Sequence, residues 1–171
     1  MKKIYLAGGC FWGLQKYMSL IQGVKSTSVG YANGIVENPS YEEVYTGRTG
    51  HAETVEVIYD ESRIGLEFLL RLYFEAINPT TLNRQGNDIG KQYRSGIYYV
   101  EPNDLPVIQE EIGNLNRKIS GQSVIEVEPL LSYYLAEEYH QDYLDKNPNG
   151  YCHIGPDLFR RAKNAKYDQA L

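Results

Sequence analysis

Cysteine and tryptophan are almost absent from this sequence, and so are long apolar runs and any excess of positive charge. The 171 residues include two cysteines, which do not make a disulfide framework or a CxxC metal site. No apolar run approaches the roughly 18 residues that a membrane span needs. The 17 Lys and Arg against 22 Asp and Glu give a net charge of −5, which argues against a nucleic-acid partner. We therefore expect neither a membrane nor a nucleic acid as a partner.

The amino terminus and the two cysteines indicate the cellular compartment in which the protein works. Residues 1–10 begin like a secretory signal, but their apolar stretch is too short, and the polar residues Gln15 and Lys16 follow too soon. We therefore expect a cytoplasmic protein. A permanent disulfide is not expected in such a reducing compartment. Cys10 and Cys152 are then either two unrelated buried thiols or a transient redox pair.

The hydrophobic pattern predicts one domain, residues 1–171, of mixed α/β (α+β) class. Its first six elements follow the order β-α-β-β-α-β, which is typical of a two-layer sandwich with a split β-α-β, ferredoxin-like core. An extra helix, an extra strand and a long irregular C-terminal tail complete the prediction. The predicted strands span residues 3–8, 24–31, 54–59, 95–100 and 124–128, the helices residues 11–23, 66–77, 105–119 and 136–146, and the long loops residues 32–50 and 80–93.

Residues 8–13, GGCFWG, place Cys10 between a short apolar strand and an apolar pattern of helical period. A thiol at the first turn of a helix meets the positive end of the helix dipole and unpaired backbone N–H groups, and both favour the reactive thiolate. A free cysteine can equally be a small buried hydrophobic residue. Phe11 and Trp12 are either core residues or an apolar wall beside the nucleophile.

Other candidate groups lie in loops or at strand ends. Glu53 begins a strand and is either a solvated glutamate or a partly buried acid with a raised pKa. Asp88 and Tyr93 lie in a polar loop and could offer an acceptor and a donor to a ligand, although turn chemistry explains such a loop as well. Cys152, in a stretch predicted to be flexible, could reach an oxidised partner thiol. The spacing of Cys152 and its neighbouring histidines fits no standard zinc pattern, so we expect no metal.

Several motifs in order resemble the peptide methionine sulfoxide reductase A family. Each motif alone is modest evidence, but the ordered set is highly specific. The matching segments are residues 9–13 (GCFWG), 30–34 (GYANG), 38–44 (NPSYEEV), 49–53 (TGHAE), 78–81 (NPTT), 85–95 (QGNDIGKQYRS), 136–144 (AEEYHQDYL) and 150–152 (GYC).

The resemblance implies reduction of the S-epimer of methionine sulfoxide, free or in proteins. Carried over by position, Cys10 is the nucleophile that attacks the sulfoxide sulfur. Glu53 is the acid that protonates the sulfoxide oxygen, with help from the hydroxyls of Tyr41 and Tyr93. These roles suit the chemistry, because a sulfoxide oxygen is a poor leaving group unless it is protonated.

The resemblance also assigns the rest of the site. Phe11 and Trp12 would receive the ε-methyl group of the substrate, and Asp88 would help to bind its main chain. Cys152 would be the resolving cysteine, which condenses with a Cys10 sulfenic acid to a disulfide. Thioredoxin is the implied reductant, and no metal or organic cofactor is required.

The chain departs from some relatives near its C-terminus, where it has no further recycling cysteine. The resemblance therefore implies a direct Cys10–Cys152 disulfide. The basic side chains of residues 154–171 are read as a solvated face.

Two other functions remain open from the residues alone. A Cys-His hydrolase could pair Cys10 with His51, His140 or His153, and would need no second thiol. A peptide-binding module could use Trp12 and the tyrosines, of which there are 16, as a recognition surface without any chemistry.

Overall fold

The computed structural model describes residues 1–167, and its strands and helices alternate along most of that length. The strands are β1 (Lys2–Ala7), β2 (Val24–Ala32), β3 (Ala52–Tyr59), β4 (Arg84–Gln85), β5 (Asp88–Ile89), β6 (Gly96–Tyr99), β7 (Glu126–Pro129) and β8 (Tyr133–Leu135). The helices are α1 (Phe11–Ser19), α2 (Tyr41–Tyr45), α3 (Leu66–Ala76), α4 (Leu105–Ile119), α5 (Tyr143–Lys146) and α6 (Pro156–Asn164), with 3₁₀ turns at Lys91–Tyr93, Pro102–Asp104 and Glu138–His140.

Six strands form a mixed sheet in the order β7-β6-β1-β3-β2-β8. Every neighbouring pair is antiparallel except β6 and β7, which run parallel. The two short strands β4 and β5 form a separate antiparallel hairpin. The predicted mixed α/β class is therefore confirmed.

One face of the sheet carries the main core. Side chains alternate between the two faces of a strand, so Ile4 and Leu6 of β1 and Val55 and Val57 of β3 point to the same side. All four are fully buried in a cluster that includes residues of α1, α3 and α4. This packing seats the N-terminus of α1 at the end of β1, close to the beginning of β3.

The opposite face is covered by a smaller layer. Tyr5, Ala7 and Tyr98 lie there, packed by the partly buried side chains of Leu130 and Tyr133. The tyrosine rings supply apolar area, and their hydroxyls find partners: Tyr5 donates to Glu56 at 2.5 Å and Tyr98 donates to Glu126 at 2.8 Å. Both faces of the sheet are thus covered.

The predicted helix over residues 136–146 is wrong as a continuous element. A 3₁₀ turn and the four-residue α5 stand in its place, separated by Gln141 and Asp142, and the φ of 53° at Asp142 lies in the left-handed region. Two side-chain contacts stabilise the break. Gln141 exchanges hydrogen bonds with the backbone of Val29, and the Asp142 N–H donates to Gln15 Oε1 at 2.9 Å. These tertiary contacts outweigh helical periodicity.

Both predicted long loops contain regular structure. Residues 32–50 include α2, which begins at Ser40 with a capping box: the Ser40 hydroxyl accepts from the Glu43 N–H, and the Glu43 carboxylate accepts from the Ser40 N–H. Residues 80–93 include the β4–β5 hairpin and a 3₁₀ turn. The prediction also missed β8, which pairs with β2 at the sheet edge.

The predicted irregular C-terminal tail is also wrong over part of its length. The tail contains α6, which starts with a proline in its first turn and ends with basic residues that complement the helix dipole. The last four positions, residues 168–171, lie outside the described residues.

Across residues 1–167, no helix is both long enough and apolar enough to cross a membrane.

Two buried tyrosines allow a matched test of how much a phenol hydroxyl stabilises this core. Tyr73 donates to the Ala7 carbonyl at 2.6 Å and is fully buried, whereas the buried hydroxyl of Tyr59 has no partner within residues 1–167. We expect Tyr73→Phe to lower the free energy of unfolding by about 1 kcal/mol. Tyr59→Phe should change it by less than about 0.5 kcal/mol or raise it. Urea unfolding measures both, and equal losses would contradict this account.

Candidate active site

The site is built on the turn from β1 into α1. Gly9 has a φ of 76°, a conformation that favours glycine, and its N–H donates to the Tyr93 carbonyl at 3.1 Å. Cys10 is the extended N-cap residue of α1, but its side chain makes no capping hydrogen bond. The first helical N–H, that of Phe11, donates instead to Glu53 Oε1 at 3.1 Å. The turn therefore fixes the thiol of Cys10 next to a carboxyl group.

Glu53 is a buried acid, because only 1% of its surface is exposed. The pKa of Glu53 is raised to about 8, mainly because the carboxyl group is buried. The hydrogen bond from the Phe11 N–H lowers this pKa, and the negative charge of Asp88 raises it. Its other oxygen, Oε2, makes no hydrogen bond to any residue that the structure describes. Glu53 can thus carry a proton at neutral pH and donate it.

The predicted lowering of the Cys10 pKa is wrong for this resting structure. Cys10 is only 8% exposed, and burial raises the pKa of its thiol. The negative charge of an ionised Glu53 raises it further, while the Trp12 N–H at the helix start acts in the opposite direction. Desolvation therefore outweighs the helix dipole, and Cys10 rests as a thiol.

Tyr41 and Tyr93 lie around the same carboxyl group. Burial, followed by the charge of Glu53, raises the pKa of both phenols, so both remain protonated donors. Neither hydroxyl makes a hydrogen bond within the described part of the chain. The structure thus brings together Cys10, Glu53, Tyr41 and Tyr93.

The two aromatic residues after the cysteine have different environments. Phe11 is fully buried in the main core, whereas Trp12 is partly buried and packs against that core. The Trp12 ring stacks on Tyr143 with centroids 3.7 Å apart, and its Nε1 donates to His140 Nδ1 at 3.0 Å. Trp12 therefore has a fixed orientation beside the thiol.

Sequence reasoning gave His140, Tyr143 and Glu137 no role in the reductase site, although it named His140 as a possible partner of Cys10 in the alternative hydrolase. His140 is 1% exposed and lies 4.5 Å from the Tyr41 ring, centroid to centroid. Glu137 accepts hydrogen bonds from the Tyr41 N–H at 2.9 Å and the Tyr31 hydroxyl at 2.8 Å. All three belong to the segment that replaces the predicted helix, so a helical pattern could not place them beside α1.

Asp88 lies on the β4–β5 hairpin, which is anchored by Gln85. The buried Gln85 amide accepts from the Asn78 N–H at 2.8 Å and donates to the Asn78 carbonyl at 2.8 Å and to Ser95 Oγ at 3.0 Å. The Asp88 side chain is 13% exposed, and its Oδ2 has no hydrogen-bond partner in residues 1–167. The charge of Asp88 raises the pKa of Glu53 and of Cys10, after larger effects of burial, so Asp88 belongs to the same cluster.

Cys152 lies against α1. Both cysteines are free thiols, and a Cβ atom added to Gly13 would lie 2.8 Å from Cys152 Sγ. The first turn of α1 thus carries Cys10 at its start and contacts Cys152 at Gly13, three residues later. A cavity of about 510 Å³ opens beside Cys152. It is lined by Lys16, Leu144, Asp145, Pro148, Gly150, Cys152, Ile154, Pro156 and Phe159.

The three histidines occupy different environments. The His51 ring contacts the loop backbone through the Gly34 N–H and the Val36 carbonyl, and His140 accepts from Trp12. The His153 ring lies against Gly9. In the part of the chain that the structure covers, no three His, Cys, Asp or Glu side chains are grouped to hold a metal ion.

Comparison with known proteins identifies the class. A family model described as "Peptide methionine sulfoxide reductase" matches residues 2–170. A protein of Lachnoclostridium phytofermentans named "Peptide methionine sulfoxide reductase MsrA" is 60% identical over 164 residues, which cover 96% of this chain and 99% of that protein.

Solved structures agree with that match. The reduced form of Mxr1 from Saccharomyces cerevisiae has a TM-score of 0.86 at 38% identity, covering 90% of this chain and 91% of that one. Mxr1 in complex with Trx2 has a TM-score of 0.61 at 27% identity, covering 83% and 84%. The chain is thus an oxidoreductase. It belongs to the peptide methionine sulfoxide reductase family, whose members reduce methionine sulfoxide.

Gly13 offers a test of the contact between α1 and Cys152. Glycine inside a helix costs roughly 0.5–1 kcal/mol relative to alanine, so a glycine there needs a packing reason. Gly113, inside α4, has only the Arg117 side chain at 3.6 Å and serves as the matched control. We expect Gly113→Ala to stabilise the protein by about 0.5–1 kcal/mol.

Gly13→Ala should not show this stabilisation, because the new methyl group occupies the position that the Cys152 Sγ atom needs. It should also expose Cys152. The alkylation rate of Cys152, followed by mass spectrometry, measures the exposure. A Gly13→Ala variant that is stabilised as much as Gly113→Ala, with Cys152 alkylated at the original rate, would contradict the contact.

Proposed function

We propose that this enzyme reduces the S-epimer of methionine sulfoxide, free or in proteins, through a Cys10 sulfenic acid and a Cys10–Cys152 disulfide that thioredoxin reduces. The observation that carries this proposal is the buried Glu53 carboxyl beside Cys10, with a second thiol against the same helix. The family match supports the reaction. The roles of individual residues follow from their chemistry and position.

In the first step, oxygen moves from the methionine sulfur to Cys10. The protonated Glu53 donates to the sulfoxide oxygen, and the Tyr41 and Tyr93 hydroxyls supply two further donors, as a charged oxygen requires. Cys10 attacks the sulfoxide sulfur to form an S–S bond, and its thiol proton replaces the one that Glu53 gave. The hydroxyl then passes from the methionine sulfur to the Cys10 sulfur as the S–S bond breaks. The products are methionine and the Cys10 sulfenic acid, so atoms and electrons balance.

Substrate orientation depends on the aromatic residues. Trp12, held by Tyr143 and His140, presents a rigid apolar surface for the ε-methyl group, and Phe11 supports it from the core. Asp88 accepts a hydrogen bond from the substrate main chain through its unpaired Oδ2. The aromatic wall and this acceptor together orient the substrate with its sulfur toward Cys10.

In the second step, the Cys152 thiol attacks the Cys10 sulfur. The S–S bond forms, the S–O bond breaks, and the thiol proton leaves with the hydroxyl as water. The contact between Cys152 and Gly13 places the Cys152 thiol about one helical turn from Cys10. No metal or organic cofactor takes part in either step.

In the third step, the dithiol of thioredoxin reduces the disulfide. Support comes from the yeast relative Mxr1, which has been crystallised with Trx2. In this chain Cys152 is partly exposed beside a cavity, whereas Cys10 is buried, so an external thiolate reaches Cys152 more readily. The need to regenerate both thiols fits a reducing, cytoplasmic location.

We further propose that residues 1–171 form one catalytic domain with a ferredoxin-like core. The family match over residues 2–170 supports the single domain. The antiparallel order β6-β1-β3-β2, with α1 and α3 as the connecting helices, supports the core arrangement.

A stoichiometric oxidation tests the proposed cycle. One equivalent of the S-sulfoxide is added to the reduced enzyme without a reductant. We expect one methionine per enzyme and a protein mass lower by two hydrogen atoms, because both thiols are consumed. Cys152→Ser should still form one methionine but retain an oxidised Cys10, and with thioredoxin it should stall after about one turnover.

Cys10→Ser is the control and should form no methionine. Two free thiols after methionine has been released would contradict the cycle. Sustained turnover of an ester or amide by Cys152→Ser would instead support the hydrolase, and binding without any product would support the peptide-binding module.

A further inference from the structure

Asp88 lies beside both residues that flank Cys152 in the sequence. On one side, His153 Nδ1 is 3.8 Å from Asp88 Oδ2. On the other, Tyr151 lies close enough for the charge of Asp88 to act on its hydroxyl: the pKa of Tyr151 rises to about 12 through burial first and then through that charge. One carboxylate on the β4–β5 hairpin therefore faces both neighbours of the resolving thiol.

His153 occupies a closely fitting socket. Its side chain is 6% exposed, and within residues 1–167 neither ring nitrogen makes a hydrogen bond. A Cβ atom on Gly9 would lie 2.8 Å from the His153 ring and 2.9 Å from Gln85. Only glycine at position 9 leaves room for the imidazole, directly beside the residue that carries the nucleophile. A buried polar ring without a full partner is costly unless its position serves a purpose.

The hairpin that carries Asp88 is fixed to the body of the protein. Gln85 joins it to Asn78 and Ser95 through three hydrogen bonds of 2.8–3.0 Å. The segment around Cys152 has no strand or helix of its own between α5 and α6. A fixed carboxylate and the Gly9 socket are thus two points at which this segment is attached near Cys10.

We propose that His153 and Asp88, with Tyr151, form a clamp that positions Cys152 for disulfide formation. His153 is a positioning residue for the second step and does not take part in the first. Holding the segment raises the effective concentration of the Cys152 thiol at the Cys10 sulfenic acid, which is how positioning accelerates a reaction between two groups of one chain.

The inference rests on the proposed function, since it concerns the second step of that cycle. It also gives Asp88 two roles. The carboxylate that we propose for the substrate main chain is the one that holds the Cys152 segment. Substrate binding therefore competes with the clamp, and release of methionine allows the clamp to close on the oxidised Cys10.

Rapid-quench single turnovers separate the two steps. Methionine formed per enzyme reports the first step, which consumes the Cys10 thiol, and loss of the remaining Cys152 thiol reports the second. At a saturating concentration of sulfoxide, where competition for Asp88 no longer limits binding, we expect His153→Leu, which fills the socket without a polar group, to form methionine at the original rate. It should lose the Cys152 thiol about 10–100-fold more slowly. His153→Gln, which keeps a polar group facing Asp88, should restore most of the rate at which the Cys152 thiol is lost.

Tyr151→Phe removes the hydroxyl that faces Asp88, at a position that is 45% exposed, so it keeps the proposal testable if His153→Leu fails to fold. It should slow loss of the Cys152 thiol by about threefold, because one of the two polar groups beside the carboxylate is gone. Thiol loss at the original rate or faster in both variants would overturn the clamp. Equal rates for folded His153→Leu and His153→Gln would overturn the role of the polar contact. Failure of the original enzyme to form methionine would reject the proposed function instead.

Discussion

The hydrogen bond from the Phe11 N–H to the buried Glu53 carboxyl is the interaction on which the site depends. It fixes the start of α1 over β3 and places Cys10 beside the acid. Burial raises the pKa of Glu53 to about 8, because desolvation outweighs the helix N–H. The same burial keeps Cys10 a thiol in the resting enzyme. Proton donor and nucleophile are therefore both protonated before a sulfoxide arrives.

The second half of the cycle depends on how a segment without regular structure is held. Cys152 contacts α1 at Gly13, and its neighbour His153 packs on Gly9. The glycines of the GGCFWG motif thus serve packing as much as the turn itself. With Asp88 facing the same segment, the acid, the two thiols and the proposed substrate contact form one cluster.

The sequence predicted what depends on local pattern and on motifs. The short apolar run of β1, the alternation along β3 and the helical period of α4 are local, so these elements were found. The break at Asp142 was missed, because Gln15 and Gln141 bond across the fold to produce it. The site residues within the family motifs were named by position. Their electrostatics required the structure, since the depth at which Cys10 is buried reverses the expected direction of its pKa.

An infrared titration of Glu53 tests the central claim most directly, using the difference between the original enzyme and Glu53→Gln. We predict the carbonyl stretch of a protonated acid at pH 7, lost as pH rises through about 8. The pKa of Glu53 in the folded protein lies above its ordinary value of 4.5, so the neutral acid favours folding. As the pH rises from about 4.5 through about 8, both the neutral acid and its contribution to the free energy of unfolding are lost. A carboxylate band that persists from pH 5 upward would show that Glu53 is ionised and would contradict the account.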